Sequence, residues 1–130
     1  MSGESNVKIC ITSEGDNLDS KVDPRFGRCK YFVIADTGTL SFEAVLNPNM
    51  EASGGAGIQS GQFVIDKKVS AILTGNIGPN AFQTLQAGGV KVIIGVSGTV
   101  KEAVEKYKKG EFNPIDNPNV GSRFGIPPRS

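Results

Sequence analysis

The chain has 130 residues, 38% hydrophobic and 21% charged, with a formal net charge of +1. That length predicts one domain that buries roughly two-thirds of its unfolded surface without a disulfide or metal staple, and the charge removes the electrostatic case for a dedicated nucleic-acid or anionic-membrane binder. Histidine is absent, which excludes His-based triads and the usual neutral-pH general base.

Residues 1–6 lack an apolar core of signal-peptide length and are expected to be disordered. With only two cysteines in the chain, this predicts a reducing, cytoplasmic location. Residues 7–12 form a β-branched run that stops at the turn residues 13–17, which predicts a first strand. Residues 31–35, a short Gly-containing turn and residues 40–46 predict a hairpin whose second arm has one wetter face. After Asn47-Pro48-Asn49 the period changes to that of a helix, opened by Ser53-Gly54-Gly55-Ala56-Gly57 and running to Lys67 and Lys68, basic residues where the helix dipole favours them. Residues 69–74 are uniformly apolar enough for a parallel strand buried on both faces. Pro79 predicts the first turn of a second helix, which Gly88-Gly89 stops. Residues 90–94 predict a fifth strand, and Thr99 with Glu102 a capping box on a third helix with Val100, Ala103, Val104 and Tyr107 on one apolar face. Residues 111–130 carry four prolines and two glycines without periodicity, so an extended or disordered tail follows a domain of residues 7–110.

The order predicts an α/β fold with a five-stranded mixed sheet, the second strand antiparallel, and helices on both faces. Ligands of such sheets sit beyond the carboxyl ends of the parallel strands where the strand order reverses, so the loops after the first and fourth strands are the candidates. The first, Asp23-Pro24-Arg25-Phe26-Gly27-Arg28-Cys29, combines two guanidinium forks suited to anions with an aromatic ring and a thiol. It reads equally as a structural loop in which Asp23 pairs with an arginine and Phe26 plugs the core. Cys10 lies within a strand and reads as a core residue. Cys29, at the rim beside Arg25 and Arg28, reads as the reactive thiol, its pKa lowered by those cations, and as the candidate metal ligand. Ser53, Gly54, Gly55 and Gly57 at a helix start could offer N–H groups to an anion, or serve as a flexible connection. Thr74, Gly75, Asn76 and Gly78 would line the opposite side of the crevice, or simply shape a strand-to-helix turn.

Taken together and in this order, Asp23 to Cys29, Gly55-Ala56-Gly57-Ile58-Gln59 and Thr74-Gly75-Asn76-Ile77-Gly78-Pro79-Asn80-Ala81 resemble the dinitrogenase iron–molybdenum cofactor biosynthesis family, the nitrogenase accessory factors, over roughly residues 7–110. The resemblance implies a ribonuclease H-like fold and noncovalent carriage or protection of an iron–sulfur or molybdenum-containing cluster, with cluster-assembly proteins as donor or acceptor, rather than catalysis. The cofactor-binding candidates are then Arg25, Phe26, Gly27, Arg28, Cys29, Ser53, Gly54, Gly55, Gly57, Thr74, Gly75, Asn76 and Gly78. Two other readings stand beside it: a protein-interaction module without a cofactor, and a hydrolase or nuclease of ribonuclease H-like fold. The nuclease needs carboxylates clustered on the sheet to hold divalent metals, and the first strand has none.

Overall fold

Ile9 and Ile11 on one face and Cys10 and Thr12 on the other make β1 (Lys8–Ser13) a strand buried on both sides, which places it at the centre of a sheet. The computed structural model describes residues 7–48, 56–112 and 114. After β1 come β2 (Tyr31–Asp36), β3 (Phe42–Leu46), α1 (Ala56–Asp66), β4 (Ala71–Leu73), α2 (Pro79–Ala87), β5 (Lys91–Ile93) and α3 (Val100–Lys108). The strands form one five-stranded sheet in the order β3-β2-β1-β4-β5. The β1–β2 and β2–β3 pairs are antiparallel, and β1–β4 and β4–β5 are parallel. The α/β class, the mixed sheet and the antiparallel second strand are therefore as the sequence predicts.

Strand alternation sorts the core into two layers. Cys10, Phe32, Ile34, Ile72 and Val92 face Val64 of α1 and Ala81, Phe82 and Leu85 of α2. On the other side, Ile9, Ile11, Val33, Leu73 and Ile93 face Val100, Ala103 and Val104 of α3. The chain leaves the β3 side of β1 through α1 and returns on the far side as β4, so the strand order reverses between β1 and β4.

The capping box forms as expected: Thr99 accepts from the Glu102 N–H, and Glu102 accepts from the Thr99 N–H. Several boundaries differ from expectation, β4 among them, which is shorter than the expected 69–74. Helix α1 ends at Asp66 rather than Lys68, because Lys68 adopts a left-handed φ of 61° and turns the chain toward β4. β3 begins at Phe42 rather than Leu40, because the Asp36 carboxylate accepts from the Gly38 and Thr39 N–H groups and closes a turn in which Leu40 has φ 63°. The expected residues 1–6 and nearly all of the expected tail lie outside the described residues.

Two glycines let α1 lie close on α2. A Cβ at Gly57 would stand 3.2 Å from the Ala81 Cβ, and one at Gly61 would stand 2.9 Å from the Thr84 Cγ2. Gly61→Val should therefore force the helices apart and cost about 1–3 kcal/mol. Thermal unfolding followed by circular dichroism reads the loss, and an unchanged midpoint would mean that the helices do not depend on this approach.

Candidate functional site

The segment between β1 and β2 folds back across the carboxyl end of the sheet. Ser13 pairs with Val22 and Lys21 with Thr99 as isolated bridges, and the Asp23 N–H donates to the Thr12 carbonyl at 2.9 Å. The Thr12 hydroxyl donates to the Asp23 carbonyl at 2.6 Å and shares a 2.9 Å hydrogen bond with the Thr74 hydroxyl. Both threonines are buried, so this polar pair ties the ends of β1 and β4 to the loop where water cannot compete.

From there the Asp23 to Cys29 loop pairs with the turn after β4. Arg25 and Asn76 form a parallel bridge; the Asn76 N–H donates to the Pro24 carbonyl at 2.7 Å, and the Phe26 N–H donates to the Asn76 carbonyl at 3.2 Å. Gly75 makes this approach possible, since a Cβ there would lie 2.7 Å from the Pro24 Cα. Gly27 takes φ 94°, a left-handed turn that favours glycine. Its carbonyl accepts from the Asn47 side chain at 3.1 Å, and the Cys29 carbonyl accepts from the same amide at 2.9 Å. Asn47 is thus a buried clamp across the loop from the end of β3. In the sequence it reads only as a turn residue before Pro48.

The guanidinium of Arg25 sits against the buried Asp23 carboxylate, with Nε to Oδ1 at 3.2 Å and Nη2 to Oδ2 at 3.3 Å. The Asp23 hydrogen bond and charge raise the Arg25 pKa. With its side chain 65% exposed, the guanidinium keeps a wet side beyond the fork. Arg28 is exposed on the same turn, its N–H donating to the Arg25 carbonyl at 3.3 Å.

Cys29 departs from expectation. It lies near the sheet end where β2 begins beside Ser13, but its side chain is fully buried in the cluster that contains Cys10, Phe32 and Val64. Burial, followed by the nearby Asp23 charge, pushes its thiol up to about 12, outweighing the lowering effect of Arg25. The expectation of a cation-activated rim thiol is therefore corrected, because desolvation outweighs the attraction of an exposed arginine. A folded pKa above the ordinary thiol value of about 8.5 means that the stability from the neutral thiol is complete below that pH and is lost as pH rises toward about 12. Iodoacetamide at pH 8 should label Cys29 only at the rate of unfolding; rapid native-state labelling would overturn this placement.

Phe26 is half-buried with its ring 5.9 Å from that of Phe32, and its outer side helps line a cleft of about 220 Å3. The other walls are Gly57 and Ile58 from the first turn of α1, and Gly78, Pro79, Asn80 and Ala81 from the head of α2. All three sequence motifs thus contribute to one cleft. Of the expected site residues, the structure brings Phe26, Gly57 and Gly78 to its walls, with Arg25, Gly27, Arg28, Gly75 and Asn76 in the two paired segments beside it. Thr74 lies beneath as part of the buried polar pair. Ser53, Gly54 and Gly55 lie outside the described residues. Ile58, Pro79, Asn80 and Ala81 are wall residues that a search for glycines and cations passes over. Among the described residues no three His, Cys, Asp or Glu side chains stand where they could hold a metal ion, and no helix is long and apolar enough to cross a membrane.

An open mixed α/β sheet with a cleft at its switch point, walled by loops and two helix N-termini, is the architecture in which α/β folds place ligands, beyond the carboxyl ends of their strands. The chain belongs to the dinitrogenase iron–molybdenum cofactor family, whose model matches residues 7–110. It is similar to the apo form of the orange protein from Desulfovibrio gigas, at 41% identity over 87% of this chain and 96% of that one, with a TM-score of 0.84. It is also similar to a Thermotoga protein with a provisional NifB designation, at 36% identity over 92% and 99% of the two chains, with a TM-score of 0.74. An uncharacterized protein of Methanocaldococcus jannaschii is 24% identical over 85% of this chain and 92% of its own length.

Proposed function

We propose that the chain is a small cytoplasmic carrier that holds an anionic iron–sulfur or molybdenum-containing cluster noncovalently during cofactor assembly, receiving it from one protein and passing it to another. The observation that carries this reading is the convergence of the three motifs on a cleft whose walls, among the described residues, include no thiol, carboxylate or imidazole. Walls of this kind, without soft sulfur or nitrogen ligands, suit a cargo that brings its own sulfides and is held from outside. Phe26, Ile58 and Ala81 offer apolar contact to soft sulfur, while the first turns of α1 and α2 offer N–H groups and the positive ends of their dipoles. Arg25 and Arg28 would add charge-assisted hydrogen bonds at the rim. Cys29 would shape the loop from within the core rather than ligate. The match to an iron–molybdenum cofactor family, and the fact that a similar protein is described in an apo form, support the same reading.

Ile58 is 44% exposed at the cleft wall, which would give a donor or acceptor protein an apolar contact beside the cargo. Anaerobic purification from a host with active cluster assembly should yield coloured protein with a sulfide-to-metal charge-transfer spectrum and stoichiometric metal. Colourless, metal-free protein from that host would overturn the reading.

A further inference from the structure

We propose that two copies of this chain associate through the free edge of β3, in an antiparallel pair whose two-fold axis passes at Ala44. Among the described residues β3 is an outer strand of the sheet with no further strand beside it, and the Ser41 carbonyl accepts from the Asp36 N–H at 2.8 Å while the Asn47 N–H donates to the Lys30 carbonyl at 2.9 Å. Backbone polar groups alternate direction along a strand, so the odd positions 41 to 47 turn theirs toward β2. Phe42, Ala44 and Leu46 then direct their N–H and C=O groups to the free edge.

The same three residues share a side-chain face. Phe42 pairs with Ala35 and Ala44 with Val33, and Val33 and Ala35 belong to the core layer on the α3 side. Phe42 is 40% and Leu46 54% exposed, two of the three large hydrophobics left exposed among the described residues. The strand carries little of the usual edge protection: Phe42-Glu43-Ala44-Val45-Leu46 has no lysine, proline or glycine. Its single charge, Glu43, is engaged by Lys67 at 3.1 Å.

The register follows from charge and backbone chemistry. With the axis at Ala44, Phe42 stands opposite Leu46 of the second copy, Ala44 opposite its own counterpart, and Glu43 opposite Val45, which pairs all three outward-facing residues. Moving the axis to Glu43 would set two carboxylates opposite each other, an arrangement that destabilises. Moving it to Val45 would set Phe42 opposite Pro48, which has no N–H to give. A pairing of two five-residue strands buries less than the roughly 1,200 Å2 of a standard stable interface, so the dimer is a weak one and its test spans protein concentrations of about 10 μM to 1 mM.

Sedimentation velocity across that concentration range should show a reversible shift from monomer to dimer. Leu46→Lys should abolish it without moving the thermal midpoint, because the side chain is largely in water. Ala44→Cys should give a disulfide-linked dimer on mild oxidation with diamide, since opposed residues of a hydrogen-bonded antiparallel pair stand about 5.5 Å apart at Cα, within disulfide reach. Phe42→Cys, facing a leucine, should cross-link far less. A chain that stays monomeric throughout, because another segment or nothing covers β3, would overturn the proposal. So would a dimer that survives Leu46→Lys or cross-links better through position 42 than 44.

Discussion

Gly75→Ala is expected to lower the melting temperature by roughly 5–15 °C and to remove cluster retention, from the addition of one methyl group. The new Cβ would lie 2.7 Å from both the Cα and Cβ of Pro24 and 2.9 Å from its carbonyl oxygen. None of these atoms can swing aside, because the Pro24 carbonyl accepts from the Asn76 N–H and the neighbouring Asp23 is tied to Thr12 from both its N–H and its carbonyl. Relief requires the Asp23 to Cys29 loop to lift from the turn after β4, which separates two of the three segments that build the cleft. Gly78→Ala is the control. It has the same chemistry on the same turn, but an added Cβ meets nothing within 4 Å. Because Gly78 itself lines the cleft, the comparison is made on stability: equal melting temperatures of the two variants in calorimetry would show that the Pro24 contact does not hold the site together.

Arg25→Ala is expected to weaken retention of an anionic cluster by about 10- to 100-fold, the loss of one charge-assisted hydrogen bond of roughly 1.5–3 kcal/mol. This substitution also has a structural cost. Asp23 is buried, and without the guanidinium its carboxylate keeps the Arg25 backbone N–H at 3.0 Å as a remaining partner. Retention must therefore be measured per folded molecule. Arg25→Lys should restore part of the binding, since it keeps the charge but not the two-pronged contact with Asp23. Arg28→Ala, on an exposed side chain, should reduce retention with little change in melting temperature. Unchanged metal content per folded molecule in both alanine variants, with a lower melting temperature in Arg25→Ala alone, would assign the arginines to loop structure and leave the helix N-termini as the anion-binding groups.

Much of the fold was legible in the sequence because its signals are local. The β-branched run of residues 7–12, Pro79 at a helix start and the Thr99 and Glu102 capping box each specify backbone geometry through neighbours a few residues away. The three motifs were legible as candidates because glycines and arginines in loops after strands carry a recognisable chemistry. What only the tertiary structure decided were the facts that depend on which side of a loop meets the core. Cys29 and Arg25 are four residues apart on one turn, yet the thiol is fully buried while the guanidinium is largely in water. No pattern of adjacent residues distinguishes them, because the loop's orientation is set by Asn47 from β3 and by Thr12 and Asn76 at the ends of β1 and β4. Desolvation then fixes the thiol's chemistry against its cationic neighbour. The cleft has the same origin. Phe26, Gly57 and Gly78 come from three separate stretches of chain, and only the crossover through α1 between β3 and β4, together with the close approach of α1 to α2, brings them to one wall-to-wall distance. Backbone propensity is encoded residue by residue, but burial and convergence are properties of contacts between segments distant in sequence.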